Sequence, residues 1–367
     1  MRKSMDRSGR GTVCALAALA LPTVLSAVLS SAAAPPPTEE SARIPFAARY
    51  HATQHGGITR AANSSVTCGP PSARAAERCA AVQEGGAGAN GRYRMTYIDV
   101  DADARTDNSS RAELQLPPGS HVSYARLYWG GNLRAGEQKR PGDSGRVLLA
   151  APGGPYKEVR ADTLTGHRTT TRTDGFQASA DVTGAVREGG AGSYTVGQVN
   201  AARGNSAAGG WGGWTLVVAY ENAREPLRRL ALWDGFQPLN ANRRALSVNL
   251  KGLRIPPNAR GSAGVLAYNG DRGIGNDSLS AAADDKTPIA LWDAANPAND
   301  VMNSTIADFG RDTPRRPAYR NTLGFDSDVF DLKSALRSGG DRLAFRFTTQ
   351  DAGYLLGALF VQADTGR

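Results

Sequence analysis

The chain has little cysteine, lysine or histidine, and few long apolar runs. It holds 3 Cys, 4 His and six Lys in 367 residues. So few Cys exclude a disulfide-knot scaffold. His51 and His55 are four apart, but Ala52 stands where the usual helical zinc motif needs Glu, so no metal-binding His pair is read there. Beyond residue 34 nothing approaches 18 consecutive apolar residues, so no membrane span is expected after an N-terminal signal is removed. There is no Gly-X-Y period, so collagen is excluded. Helical periodicity is scarce, and the crossover helices that a βαβ fold requires are missing. Arg supplies 37 of the 43 basic residues, without a dense run. That pattern reflects composition bias and gives no reason to expect a nucleic-acid partner.

The first 34 residues read as a secretory signal. Arg2, Lys3, Arg7 and Arg10 form a basic start, Val13 to Leu29 is a mostly apolar run, and Ser30 to Ala34 offer small-residue cleavage positions. The expectation is a secreted, extracellular protein, associated with the cell envelope if held at all. Removing that segment leaves 39 basic against 33 acidic residues, a mild net charge of +6. It also leaves Cys68 and Cys79 as an even pair in an oxidising compartment, and a bridge between them is expected. Such a bridge would close a short loop and contribute about 2–3 kcal/mol.

Residues 35–45 are Pro-rich and read as a linker. From Tyr93 onward, short apolar and β-branched runs alternate with Gly, Asn, Asp and Pro clusters. They include Tyr93–Val100, Ala112–Leu116, His121–Trp129, Tyr194–Val199, Trp214–Tyr220, Leu227–Trp233, Leu246–Leu250, Val265–Tyr268, Leu343–Phe347 and Leu355–Val361. The period of two is cleanest at Leu343, Phe345 and Phe347. Short helices are expected only at Ala73–Val82 and Val329–Ser338. This many short strands indicates an all-β fold, an antiparallel β-sandwich or jelly roll. The charged turn Glu221–Arg229 suggests two packed sandwich units, 46–222 and 223–367, or one continuous unit.

The most informative polar cluster is Asp99, Asp101, Asp103 and Asp107, with Arg105 as the one local counter-charge. Carboxylates at alternating positions after a strand can turn several oxygens toward a hard cation, so this loop is the candidate calcium site. The same residues would also serve as a solvated Asx-type turn. Asp326, Asp328 and Asp331 form a sparser group, and Asp271 with Asp277 a sparser one still. Trp129, Trp211 and Trp233 stand beside glycines and polar residues, which suits stacking on sugar faces. The first and third would serve equally as core anchors at strand ends, whereas Trp211 in its Gly run is expected to be exposed. Gly142-Asp143-Ser144-Gly145 matches a peptidase nucleophile signature, but Arg146 replaces the Gly that should follow and no His has catalytic surroundings. Gly86–Gly91 fits G-x-G-x-x-G, but a strand rather than a helix follows it, which removes the phosphate site.

Taken in order, Tyr97–Asp101, Asn108–Ser110, Leu116–Gly119, Ala125–Gly130, Gly213–Tyr220, Leu232–Phe236, Asn303–Ile306 and Leu323–Asp328 resemble an N-terminal module of secreted bacterial surface proteins. That module is found ahead of tandem β-sandwich repeats and a wall or membrane anchor, which are not seen in this sequence. The resemblance implies an exported, β-rich envelope protein and carries no catalytic residue. The functional expectation is a non-catalytic binding or surface-structural protein, calcium-dependent and directed to a glycan or cell-wall polymer. The alternative is a secreted carbohydrate-active hydrolase, which would need two carboxylates about 5–10 Å apart across a cleft, with Asp234 or Asp326 as candidates.

Overall fold

A computed structural model describes residues 45–366 apart from 70–72, 136–137, 140–142, 170–172 and 351–352. The expected signal segment, and the expected linker as far as residue 44, lie outside the described residues. The fold is an all-β antiparallel sandwich, organised around the strand Ala47–Ser64. Its first half, Ala47 to His55, pairs with Leu227–Leu239, and its second half, Gly56 to Ser64, pairs with Gly212–Glu221. The change of partner falls at Gly56, where φ is +140° and a Cβ would sit 1.9 Å from the Tyr220 carbonyl oxygen. Only glycine can take that backbone at that approach.

This strand joins two wings into an eleven-stranded sheet. One wing runs outward through Gly212–Glu221, His121–Asn132, Asp174–Asp181 and Thr163–Thr169. The other runs through Leu227–Leu239, Tyr354–Asp364, Gly261–Tyr268, Phe325–Asp331 and two short edge strands, Ala307–Asp308 and Arg311–Asp312. All pairings are antiparallel except that of Asp308 with Val329.

The wings are buried on both faces. Leu216 and Val218 belong to a core shared with Ala112, Leu114, Val147, Leu149, Tyr194 and Val196 of a five-stranded sheet. Val217 and Ala219 point the other way, into a core with Leu232, Phe236, Leu266, Phe325 and Phe360 of the opposite wing. Beyond that wing, Val265, Leu359 and Val361 meet Val248, Leu279, Phe345 and Phe347 of a four-stranded sheet. Three cores therefore separate four layers of strand, and the period of two along each wing strand feeds two cores at once. The described residues belong to one compact unit. The break read at Glu221–Arg229 is the link between the two strands that flank Ala47–Ser64.

A disulfide links Cys68 to Cys79, tying the short strand Val66–Cys68 to the helix Ala73–Gln83. The second expected helix is corrected. Val329 to Asp331 complete the strand Phe325–Asp331, and the residues after it form turns. Asp326, Asp328 and Phe330 alternate along that strand, and tertiary pairing outweighs the weak helical pattern.

Candidate functional site

The loop that follows the strand Met95–Tyr97 lies against the five-stranded sheet. Between them runs an open groove of about 560 Å³, lined by Asp101, Asp103, Arg105, Arg111, Tyr156 and Thr195 among others. Arg111 comes from Ser109–Leu114, Thr195 from the neighbouring Gly192–Gly197, and Tyr156 from the turn after Arg146–Ala150. The floor is rigid sheet and the walls are turns, a frequent arrangement for binding side chains.

The polar groups of the groove hold one another in place. Tyr156 donates its phenolic hydrogen to Asp101 Oδ2 at 2.8 Å. Arg105 forks onto Asp103, with Nε 2.8 Å from Oδ1 and Nη2 2.6 Å from Oδ2. The same guanidinium lies over the Tyr156 ring, 5.6 Å from its centre. Arg111 Nε donates to Thr195 Oγ1 at 2.9 Å. The Arg105 side chain and backbone N–H hold the Asp103 carboxyl down at about 2. Burial, then the hydrogen bond to Asp101, pushes the Tyr156 phenol well above its usual range. The groove is thus charged, hydrogen-bonded and furnished with one half-buried ring.

The four carboxylates of the candidate calcium loop do not converge. Asp99 Oδ1 accepts from Ser109 Oγ, Asp101 from Tyr156 and from the Asp103 N–H, Asp103 from Arg105, and Asp107 from Gln198 Nε2. Among the described residues, no three His, Cys, Asp or Glu side chains gather as a metal-binding group.

The expectation of an exposed Trp211 is corrected, because its ring is 1% exposed and packs on Tyr268, with centroids 5.1 Å apart. Trp129 is fully buried, its indole N–H donating to the Ser144 carbonyl, so its ring has no open face for a sugar. Trp233 is partly buried against the core below the four-stranded sheet. The glycines near Trp211 make room for its ring: a Cβ on Gly175 would lie 2.9 Å from it, and one on Gly324 would lie 2.8 Å from its Cβ. The large exposed rings are instead Trp292, 64% exposed, and Phe309, 54% exposed. Neither carried a signal in sequence beyond its aromatic character.

The two carboxylates considered for hydrolysis lie inside the protein. Asp234 accepts from Arg49 Nε at 2.7 Å and from the Tyr128 hydroxyl at 2.9 Å. Asp326 and Asp328 share one face of their strand, 1% and 2% exposed.

No family model matches the chain, and no curated protein matches it. Among solved structures, the chain is similar to the major capsid protein P2 from bacteriophage PM2. That match has 11% identity and a TM-score of 0.20, over 84% of this chain and 98% of that one. A likeness at that score bears on neither function nor assembly.

Proposed function

We propose that this chain is an exported, non-catalytic binding protein whose groove at Tyr156 takes a polyhydroxylated polymer, a cell-surface glycan or wall polysaccharide. The observation that carries the reading is the groove itself: a half-buried ring, two carboxylates and two guanidinium groups line one open cleft. Sugar rings pair an apolar face with a rim of hydroxyls, and a ring beside fixed donors and acceptors matches both. The cleft is open to solvent rather than enclosed, which suits a polymer segment more than a small enclosed ligand. The Cys68–Cys79 disulfide supports export, since such bridges persist in oxidising compartments.

The test is co-sedimentation of the protein with purified cell wall and insoluble polysaccharides, wild type against Tyr156→Ala and Arg111→Ala. Removing the stacking ring or the guanidinium donor is expected to weaken retention about five- to thirtyfold, each contributing roughly 1–2 kcal/mol. Retention of both variants equal to wild type would move the binding surface away from this groove. No retention of the wild type on any polymer would leave a purely structural envelope role as the better account.

A further inference from the structure

We propose that Asp293, Asn296, Asn303, Thr305 and Asp328 form a site for one calcium ion, inside the wing that contains Phe325–Asp331. The inference does not rest on the groove reading. Thr305 Oγ1 lies 2.6 Å from Asn296 Oδ1, 2.8 Å from Asn303 Oδ1, and 3.1 Å from each oxygen of Asp328. The four side chains are 0%, 1%, 4% and 2% exposed for Asn296, Asn303, Thr305 and Asp328. A hydroxyl has one hydrogen to give. At most one acceptor receives it, so at least two of Asn296 Oδ1, Asn303 Oδ1 and Asp328 Oδ2, all close to that hydroxyl, are left without a donor among the described residues.

The amide orientations are fixed by their other ends. Asn296 Nδ2 donates to Asp293 Oδ1 at 3.1 Å, and Asn303 Nδ2 donates to the Ala295 carbonyl at 2.8 Å. Turning either amide over would forfeit that bond, so both Oδ1 atoms face inward. Protonating Asp328 does not repair the deficit. Its own Oδ1 already accepts from the Ala307 N–H, and one added hydrogen still leaves an amide oxygen bare. Asp293 Oδ2 and Asp326 Oδ2 are also buried with no donor among the described residues. Unpaired buried acceptors are destabilising, and one cation would satisfy the oxygens of Asp293, Asn296, Asn303 and Asp328 together.

Carboxylate, amide and hydroxyl oxygens are hard ligands, and two carboxylates nearby suit a divalent ion. A closed, many-oxygen pocket of this kind favours calcium over magnesium, which keeps several of its waters. The ligands come from the loop 293–305 and from the strand Phe325–Asp331, so the ion would clamp one to the other. That loop follows directly on the exposed Trp292. It also abuts the Phe309 hairpin, where a Cβ on Gly310 would lie 2.9 Å from Ala294 N.

The test uses the full chain, stripped with EGTA and dialysed, with bound metal counted by atomic spectroscopy and unfolding followed by calorimetry. One calcium per chain is expected, with a midpoint raised by about 5 °C at about 1 mM calcium and little shift with magnesium. Asp293→Asn, at the more open end, is expected to weaken calcium binding at least about tenfold, whereas Asp101→Asn leaves it unchanged. Less than about 0.2 calcium per chain with no thermal shift, or an equal response to magnesium, would overturn the site. So would a response lost in Asp101→Asn and kept in Asp293→Asn. If Asp293→Asn does not fold, the wild-type metal count and magnesium comparison still decide.

Discussion

Asp277 opens the strand Asp277–Ala283 of the four-stranded sheet, with its Oδ1 accepting from the Val301 and Met302 N–H groups, at 2.7 and 2.9 Å. Burial is the larger influence and pushes its carboxyl up to about 6. In the unfolded chain the same group titrates near about 3.9. The folded protein therefore binds this proton more tightly. The stability it gives is complete below about pH 4 and is lost as pH rises through about 6, a cost of about 3 kcal/mol. Asp277→Asn keeps the acceptor and removes the charge. Calorimetry between pH 4 and 7 should show a midpoint that falls with pH in the wild type and falls less in the variant. Equal slopes would mean that Asp277 stays charged throughout.

At this same scale the sequence was half legible. Alternating Asp residues marked the loop at 99–107 as a polar site, and Asp101 and Asp103 do line the groove. Their partners Tyr156, Arg111 and Thr195 arrive from three other segments, and no local spacing announces that meeting. Trp211 misled because a glycine run reads as a flexible loop, whereas the room for its ring is made by Gly175 and Gly324, which are remote in sequence.

Among the elements, the strands rich in β-branched and aromatic residues were legible. Leu343, Phe345 and Phe347 face one core as their period of two requires. The longest strand, Ala47–Ser64, was not. Its sequence is mostly Ala, Gly, Arg and polar residues, with only Thr53, Ile58 and Thr59 β-branched, and each half is held by pairing with its own neighbour rather than by propensity. The burden of its bend falls on Gly56. Gly56→Ala should cost about 2–4 kcal/mol, since the new Cβ meets the Tyr220 carbonyl and the backbone lies in glycine's region. Chemical denaturation should show a lower midpoint with an unchanged slope. A variant as stable as the wild type would mean that the strand can bend elsewhere.

At the scale of the whole molecule, the core between the wings decides how the halves depend on each other. Leu232, Phe236, Leu266, Phe325 and Phe360 are buried against residues that precede Glu221, such as Ile58, Tyr128 and Val217. Full burial of one such side chain is worth roughly 1.5–3 kcal/mol. A fragment beginning at residue 223 would expose that whole face and lose Ala47–Ser64, one of the two strands that pair with Leu227–Leu239. It should fail to give a cooperative thermal transition or a near-ultraviolet dichroism signal. The intact chain should unfold in one transition. A fragment that folds cooperatively would establish the second sandwich as independent.

The strand Ala47–Ser64 is made early, and both of its neighbours are made late, from Gly212 onward. A chain that emerges from its N-terminus therefore carries a long strand with two open edges while about 150 further residues are made. Neither wing can close until the segment 212–239 has arrived. The central strand thus waits for the middle of the chain before its two edges can be covered.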